Sequence, residues 1–348
     1  MLLGRITGVS KKLYIYRFPY WKWPVVKQCF PASLVVFIDE ADKIPSKSCL
    51  VLWGMSPLPD GLSSDVHVLR LEDGFLRSVG LGADLIRPLS WVVDQRGIYY
   101  NVSQPSDLEY LCETTSFDEA LLHRAACLRS KIVESGLTKY NVGVISWHRP
   151  ISADYVILVP GQVESDASLL YGTVGERTNM TLLRTVREAH PNAYLIYKPH
   201  PDILAGLRAK GKDEQAAYRW CNEVVTDVSI NDLYEGVDEV HVLTSLAGFE
   251  ALLRGKLVTC YGQPFYSGWG LTKDILLNNR RTRCLTLNEL VAAALIKYPI
   301  YFSRNGKGLI TPEQALDEML SWRASCDGSV PWWRSIVRFF LRLVVGVK

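Results

Sequence analysis

The chain has 348 residues, about twice the length of an average domain, so two domains are expected. Hydrophobic residues make up 48% of the chain and charged residues 22%, a composition that excludes an intrinsically disordered protein. The formal net charge of +3 is small, and no basic run has the pattern that tracks a nucleic-acid groove, which argues against nucleic acid as a partner.

The first half of the chain alternates apolar segments with polar turns. Buried strands are predicted over residues 34–38, 49–53, 66–71 and 91–94, followed by a helix over 117–135. An aromatic and basic segment at 14–23 precedes them, and it is either a contact patch or an edge strand. We assign residues 1–150 to an N-terminal Rossmann-like domain.

A second series of strands and helices begins after a break near residues 141–154. It comprises a strand at 155–160, a helix at 178–189, a strand at 193–197, a helix around 214–221, short strands near 224 and 240, a helix from Ser245 and a strand from 257. We assign residues 151–310 to a second Rossmann-like domain. This pattern predicts an α/β fold in which two Rossmann-like domains face a central cleft. The chain has neither a G-x-G-x-x-G fingerprint nor a Walker motif, which argues against dehydrogenases and P-loop enzymes.

The C-terminal region, residues 311–348, is predicted to be helical. Residues 311–322 form a helix capped by Thr311, with Pro312 in its first position. The tail at 329–348 carries arginines at four-residue intervals among aromatic and aliphatic residues. This pattern is typical both of a helix lying on an anionic membrane surface and of a terminal helix packed on the protein itself, so both interpretations stay open.

The sequence carries no clear signal for export or membrane insertion. Eight cysteines are scattered without C-x-x-C or Cys/His spacing, which indicates reduced thiols and predicts neither a disulfide framework nor a metal site. The first residues lack the pattern of a signal peptide, and no apolar run approaches the roughly 18 residues needed to span a bilayer. We expect a cytoplasmic protein, peripheral on the inner face of the inner membrane if the tail binds lipid.

A nucleotide-binding site is predicted where strands of the second domain end. Thr244 and Ser245 stand at a helix start, where hydroxyls, unpaired backbone N–H groups and the helix dipole attract a phosphate. Glu250 follows five residues after Ser245 and can accept hydrogen bonds from a ribose diol. Lys198 and His200 follow another buried strand, and ligands of such sheets bind beyond the carboxyl ends of the strands. We therefore expect these side chains in one cleft.

Two acidic segments are candidates for the chemistry. Glu72 and Asp73 end one strand of the first domain, whereas Glu164 and Asp166 follow the first strand of the second. Opposed carboxylates suit glycosyl transfer with retention, in which one acts as nucleophile and the other as acid/base. The alternative is that these acids cap helices or stay solvated.

Several motifs together resemble one family. They are residues 72–82 (EDGFLRSVGLG), 161–166 (GQVESD), 197–202 (YKPHPD), 244–250 (TSLAGFE) and the glycine- and aromatic-rich segment 261–270. In this order and spacing they look like the capsule polysaccharide biosynthesis family of retaining β-Kdo transferases. The likeness extends from about residue 66 to about residue 272.

The resemblance implies a GT-B-like enzyme that transfers 3-deoxy-D-manno-octulosonic acid (Kdo) from CMP-Kdo to a glycolipid or glycan. The first domain would face the acceptor and the second would bind the nucleotide sugar. No cofactor is implied, and the absence of an Asp-x-Asp motif predicts a reaction without a metal. A membrane surface and a polysaccharide assembly or export complex are further partners to consider.

The resemblance also implies roles for individual residues. Asp166 would be the nucleophile, with Glu164 as its alternative, and Glu72 the acid/base. The nucleotide would be bound by Lys198, His200, Thr244, Ser245 and Glu250. Further cleft candidates are Asp73, Arg77, Gln162, Arg177, Tyr266 and Trp269, of which Arg177 would contact the carboxylate of the donor sugar.

One departure from the family keeps other functions open. Members that build the capsule linker typically carry two such modules in tandem, whereas these 348 residues hold one. The chain could add a single sugar, be part of a longer protein or serve another glycan. The alternatives are another nucleotide-sugar transferase or epimerase of this fold, and a noncatalytic scaffold for polysaccharide assembly.

Overall fold

The structure, a computed structural model, describes residues 12–78, 87–139, 145–175, 177–305 and 308–325. The basic and aromatic tail at 329–348 lies outside the described residues, and with it the choice between membrane contact and packing. The second half of the 72–82 motif, from residue 79, also lies outside them.

The first of two β-sheets has seven strands, which carry the labels β1–β5, β12 and β13. They are β1 (Lys12–Tyr16), β2 (Leu34–Ile38), β3 (Cys49–Trp53), β4 (His67–Asp73), β5 (Ser90–Asp94), β12 (Ile300–Phe302) and β13 (Leu309–Ile310). Their order in space is β2-β1-β3-β4-β5-β12-β13, with parallel pairing from β2 to β4 and antiparallel pairing beyond. Helix α1 (Trp23–Cys29) connects β1 to β2.

The aromatic and basic segment at 14–23 contributes an interior strand. β1 pairs with β2 on one side and with β3 on the other, so the edge-strand interpretation is wrong. Leu13 and Ile15 alternate with Tyr14, which places successive side chains on opposite faces of the sheet, and all three are buried. The segment then turns at Tyr20–Lys22, beyond the carboxyl end of β1.

The second sheet has six strands, all parallel. They are β6 (Val156–Pro160), β7 (Tyr194–Lys198), β8 (Glu223–Val224), β9 (Glu239–Val242), β10 (Leu257–Cys260) and β11 (Lys273–Asp274). The order β8-β7-β6-β9-β10-β11 is that of a doubly wound sheet, in which the chain changes direction between β6 and β9. β6 is buried along its whole length, as the apolar run in its sequence predicts.

Helices lie between and beyond these strands. They are α2 (Asp107–Thr114), α3 (Glu119–Glu134), α4 (Ala167–Gly172), α5 (Asn179–Ala189), α6 (Pro201–Leu204), α7 (Ile230–Gly236), α8 (Leu246–Leu253), α9 (Leu287–Val291), which continues as a π-helix over Ala292–Lys297, and α10 (Pro312–Ser325). Thr311 accepts a hydrogen bond from the Gln314 backbone N–H, which confirms the predicted cap of α10. Within the described ranges, no helix has the length and hydrophobicity needed to cross a membrane.

The chain returns to the first sheet near its end. Ile300 pairs with Trp91 of β5, so β12 and β13 belong to the first sheet. The sequence pattern had predicted that residues up to 310 belong to the second domain. β12 and β13 have three and two residues, and runs this short carry no periodicity that sequence reasoning could detect.

The two halves share one hydrophobic core. Phe75, which follows β4, stacks on Phe265, which follows β10, with ring centroids 4.3 Å apart. Tyr99 packs edge-on against both rings, and all three aromatics belong to or contact a single buried cluster. Because this cluster joins side chains from both sheets, the relative position of the sheets is fixed by apolar packing.

Removal of the Phe75 ring should destabilise the whole chain. Phe75 is 5% exposed, and Phe75→Ala is expected to lower the free energy of unfolding by about 3 kcal/mol, because a buried cavity replaces the stacked ring. Urea unfolding followed by fluorescence measures the change. The matched control is Tyr218→Ala, since Tyr218 is 70% exposed and its loss should change stability by less than about 0.5 kcal/mol. Equal unfolding midpoints in the two variants would contradict the shared core.

Candidate active site

A cleft of about 740 Å³ lies between the two sheets. Its lining comes from the carboxyl ends of strands in both of them, including Lys22, Trp53 and Glu72 from the first and Lys198 and Thr244 from the second. In each sheet the strand order changes direction nearby, between β1 and β3 and between β6 and β9. Side chains can converge there because the connecting segments diverge from such a switch point and leave a crevice.

Gln162 bridges the switch point of the second sheet. Its side-chain oxygen accepts a hydrogen bond from the Thr244 backbone N–H at 2.9 Å, and its nitrogen donates to the Thr244 hydroxyl at 3.1 Å. Both residues are at least nine-tenths buried. The bridge joins the segment after β6 to the segment after β9 and so fixes the width of the crevice.

Ser245 caps α8, as the sequence predicts. Its hydroxyl accepts a hydrogen bond from the Ala247 backbone N–H at 3.2 Å, and it lines the cleft together with the first turn of the helix. A hydroxyl that accepts one bond still has its own proton to donate. The helix dipole adds positive potential at this end.

Lys198 and His200 reach the same wall from the end of β7. The Lys198 ammonium donates to the backbone oxygens of Val228 at 2.7 Å and Thr226 at 3.3 Å, and it lines the cleft. Burial lowers the pKa of Lys198 to about 8 and that of His200 to about 3. At neutral pH the wall therefore presents a poorly solvated cation beside a neutral imidazole.

Glu250 lies at the cleft with both carboxylate oxygens already engaged. One oxygen accepts a bond from the Lys139 backbone N–H, and the other accepts one from the Tyr234 hydroxyl at 3.3 Å. Burial raises the pKa of Glu250. The predicted ribose contact would thus use the remaining lone pairs of a carboxylate that also anchors the loop at Lys139.

Asp166 and Glu164, the two alternatives for the nucleophile, lie in different environments. Asp166 is exposed to the cleft and caps α4, with one oxygen accepting from the Ser168 backbone N–H at 3.1 Å. Glu164 is absent from the cleft lining, and its two oxygens accept from the backbone N–H groups of Asn179 and Lys212, each at 2.8 Å. Glu164 therefore connects two loops, while Asp166 keeps an oxygen toward the cleft.

Glu72 faces the cleft from the first sheet. The Tyr100 hydroxyl donates to it at 3.2 Å, and burial, together with the neighbouring charge of Asp73, raises the pKa of Glu72 to about 7. Asp73 forms a 2.8 Å ion pair with Arg77. Burial followed by the charge of Glu72 raises the pKa of Tyr100, and the charge of Asp166 adds to this effect. Glu72 and Asp166 both line the cleft, Glu72 from the first sheet and Asp166 from the segment after β6.

Sequence reasoning missed the aromatic part of the cleft. Trp21, Trp53, Tyr99 and Tyr100 line its first-domain wall, and Lys22 lies over the Trp53 ring. Burial lowers the pKa of Lys22 to about 8, although Asp73 opposes the change. The aromatic and basic segment at 14–23 was a signal for Trp21 and Lys22, but the sequence could not place this segment relative to a cleft.

Three predicted cleft residues lie elsewhere. Arg177 donates to the backbone oxygen of Leu170 at 2.9 Å and does not line the cleft. Tyr266 is fully buried behind α8, where its hydroxyl donates to the Ser245 backbone oxygen, and Trp269 is buried with its ring N–H bonded to the Phe265 oxygen at 2.9 Å. The two aromatics support the wall from behind because the segment at 261–270 folds under α8.

These features define a class of protein: an α/β protein whose doubly wound sheet opens at its switch point into a cleft lined by buried cations and carboxylates. The chain belongs to the capsule polysaccharide biosynthesis protein family, whose model matches residues 61–136 and 121–301. The family expected from the motifs is thereby confirmed.

The chain is similar in sequence to proteins of Neisseria and Rhizobium. The capsule polysaccharide modification protein LipA of Neisseria meningitidis serogroup B is 42% identical over 314 residues, which cover 87% of this chain and 45% of LipA. The lipopolysaccharide-processing protein LpsZ of Rhizobium meliloti is 41% identical over 298 residues, covering 81% of this chain and 68% of LpsZ. The chain thus spans about half the length of its Neisseria relative.

Among solved structures, the chain is similar to two transferases of Thermosulfurimonas dismutans KpsC. The β-Kdo 2,7 transferase superimposes with a TM-score of 0.75 at 38% identity, covering 90% of this chain and 99% of that one. The β-Kdo 2,4 transferase gives a TM-score of 0.76 at 29% identity, covering 88% and 97%. The described fold therefore matches nearly the full length of each of these chains.

The raised pKa of Glu72 predicts a pH-dependent stability. A carboxyl whose folded pKa lies above its unfolded value of 4.5 binds its proton more tightly when folded, so stability falls as pH rises from about 4.5 through about 7. Glu72→Gln removes this titration. Urea unfolding should show the variant gaining about 2 kcal/mol relative to the unmodified chain between pH 4.5 and 7.5.

The matched control is Glu188→Gln on the exposed side of α5. Its stability difference from the unmodified chain should stay constant over the same range. A constant difference for Glu72→Gln as well would contradict the raised pKa of Glu72.

Proposed function

We propose that the chain is a retaining β-Kdo glycosyltransferase of GT-B-like architecture that uses CMP-Kdo and extends a glycolipid or surface polysaccharide. The observation that carries the proposal is the convergence of Asp166, Glu72, Lys198 and Ser245 on one cleft. The 38% identity to a β-Kdo 2,7 transferase over nearly all of that chain supports it. Because this chain spans about half of its Neisseria relative, the activity of the whole protein is part of the proposal.

The nucleotide would bind against the second sheet. Its phosphate would lie at the start of α8, where the Ser245 hydroxyl and the helix dipole favour an anion, with the Lys198 ammonium beside it. Thr244 and His200 would complete this wall. Arg177 lies outside the cleft, so Arg208 and Lys139, which line it, replace Arg177 as candidates for the donor carboxylate.

The reaction would proceed through two displacements. An Asp166 oxygen forms a bond to the anomeric carbon while the bond to the CMP oxygen breaks, and CMP leaves with the electron pair. Lys198 and the dipole of α8 stabilise the departing phosphate. An acceptor hydroxyl then attacks the same carbon, its proton passes to Glu72, and Asp166 is released as a carboxylate. Two inversions give net retention.

The pKa of Glu72 suits its role as a base in the second displacement. With a pKa of about 7, it is substantially ionised at neutral pH and can still hold a proton after accepting one. The Tyr100 hydroxyl, 3.2 Å away, orients its carboxylate. The role of acid/base therefore requires no further ionisable group at this wall.

The acceptor would approach across the first-domain wall. Trp21, Trp53 and Tyr99 offer aromatic faces there, and Trp21 is 43% exposed. Sugar rings bring apolar C–H faces to such surfaces, while their hydroxyls need polar neighbours such as Glu72 and Asp73. A membrane surface and an assembly or export complex remain proposed partners.

We further propose a 2,7 linkage for the product. The 2,7 and 2,4 transferases superimpose equally well, with TM-scores of 0.75 and 0.76, so the fold favours neither. Sequence identity is higher with the 2,7 transferase, at 38% against 29%. The higher overall identity is the observation that favours O7 over O4.

A transfer assay tests the proposed function. The purified chain is incubated with CMP-Kdo and a synthetic glycolipid ending in β-linked Kdo, and the product is analysed by mass spectrometry and NMR. The expected product carries one more Kdo in β-linkage at O7. CMP released without a longer product, an α-linked product, or no turnover would contradict the proposal, and linkage at O4 would overturn the 2,7 assignment alone.

Two variants decide which carboxylate acts as nucleophile. Asp166→Asn keeps the cap of α4, because asparagine caps as well as aspartate, but should lower kcat by at least about 10³-fold. Glu164→Gln should keep most of the activity and lower the unfolding temperature, since it disturbs the contacts to Asn179 and Lys212. An inactive, fully stable Glu164→Gln would assign the role to Glu164 instead.

Nucleotide binding separates this function from the alternatives. Thermal shifts with CMP, UDP and ADP should show the largest stabilisation with CMP, and Lys198→Gln should weaken CMP binding at least tenfold by removing the buried cation. Lys43→Gln, which changes an exposed lysine outside the cleft lining, is the control. A response to UDP alone favours another nucleotide-sugar enzyme, and no response to any nucleotide favours a noncatalytic scaffold.

A further inference from the structure

Three possible metal ligands meet on the second sheet. Glu239 and His241 are alternate residues of β9, so their side chains lie on one face of the sheet, and His190 follows α5 as its C-cap. One ligand atom from each of the three lies within 4.8 Å of the other two. The His190 and His241 rings are perpendicular, with centroids 5.1 Å apart.

Neighbouring hydroxyls orient two of the three side chains. The Tyr155 hydroxyl donates to one Glu239 oxygen at 2.9 Å, and the Thr259 hydroxyl donates to the other. His241 Nδ1 lies 3.3 Å from the Tyr261 hydroxyl. Such outer contacts fix the orientation of metal-ligating histidines and carboxylates in known sites.

His241 Nε2 is a buried polar atom that lacks a hydrogen-bond partner among the described residues. The His241 side chain is 1% exposed, and its Nε2 lies 3.1 Å from a Glu239 oxygen without a hydrogen bond to any described residue. No lysine or arginine of the described ranges forms an ion pair with Glu239. An orphaned imidazole nitrogen beside a buried carboxylate is the arrangement that a cation would complete.

We propose that His190, Glu239 and His241 bind one divalent transition-metal ion of the zinc class, with water completing its coordination. Two imidazoles and a carboxylate are a donor set that zinc accepts readily. Glu239 pairs in register with Ile157, near the amino end of β6, whereas the cleft lies beyond the carboxyl ends. The five residue-to-residue steps from Glu239 to Thr244 would span roughly 16 Å of extended chain. The ion would therefore fasten the end of α5 to β9 and take no part in chemistry at the cleft.

Zinc binding to the full chain tests the site. The protein, without any affinity tag, is treated with a chelator, dialysed and titrated with ZnCl₂ by calorimetry. One ion per chain and a rise in unfolding temperature are expected, since a ligand that binds only the folded state stabilises it. His190→Ala, which changes a half-buried side chain, should weaken binding at least tenfold. His67→Ala, an exposed histidine of β4, should leave it unchanged.

The spectrum of bound Co²⁺ shows whether residues other than His190, Glu239 and His241 bind the metal. Co²⁺ should give visible d–d bands without thiolate charge-transfer bands, because the exposed Cys127 and Cys284 are not among the ligands. This spectrum is read on the unmodified chain, so it holds even if a variant fails to fold. Thiolate bands, an absence of binding, or equal zinc affinity in His190→Ala would overturn the site. Chelation should leave nucleotide binding intact, which separates this proposal from the proposed transferase function.

Discussion

The pair of hydrogen bonds between Gln162 and Thr244 holds the structure of the cleft together. At the switch point, β6 and β9 are neighbours whose continuing segments turn away from each other, so the backbone groups beyond their ends do not pair with each other. The Gln162 amide satisfies the Thr244 N–H and hydroxyl at once. The positions of Ser245 and α8, which follow directly, depend on this bridge.

Burial then sets the charge of the cleft. Removal of water disfavours a charged group, so the pKa of Lys198 falls to about 8 and that of Glu72 rises to about 7, each toward neutrality. Both groups are consequently poised to change partner near neutral pH. In the proposed reaction, an arriving phosphate would compensate the cation, and an acceptor proton would compensate the carboxylate.

The motifs in the sequence do not determine the hydrogen-bond environments of their carboxylates. Asp166, Glu164 and Glu250 all fall in segments that the sequence marks as functional. Their environments differ because distant backbone N–H groups approach two of them: those of Asn179 and Lys212 approach Glu164, and that of Lys139 approaches Glu250. Residues 15 to 111 positions apart make these contacts, and nothing in the local pattern indicates them.

With the exception of β1, the sequence by itself determined the strands of both sheets longer than three residues. It also determined the caps of α8 and α10 and the family, since alternation, capping and motif spacing depend on neighbours along the chain. Only the tertiary structure decided that β12 and β13 rejoin the first sheet, that Trp21 and Lys22 line the cleft, and that His190 meets Glu239 and His241. These outcomes depend on contacts between segments remote in sequence, whose energies arise only once the sheets pack together.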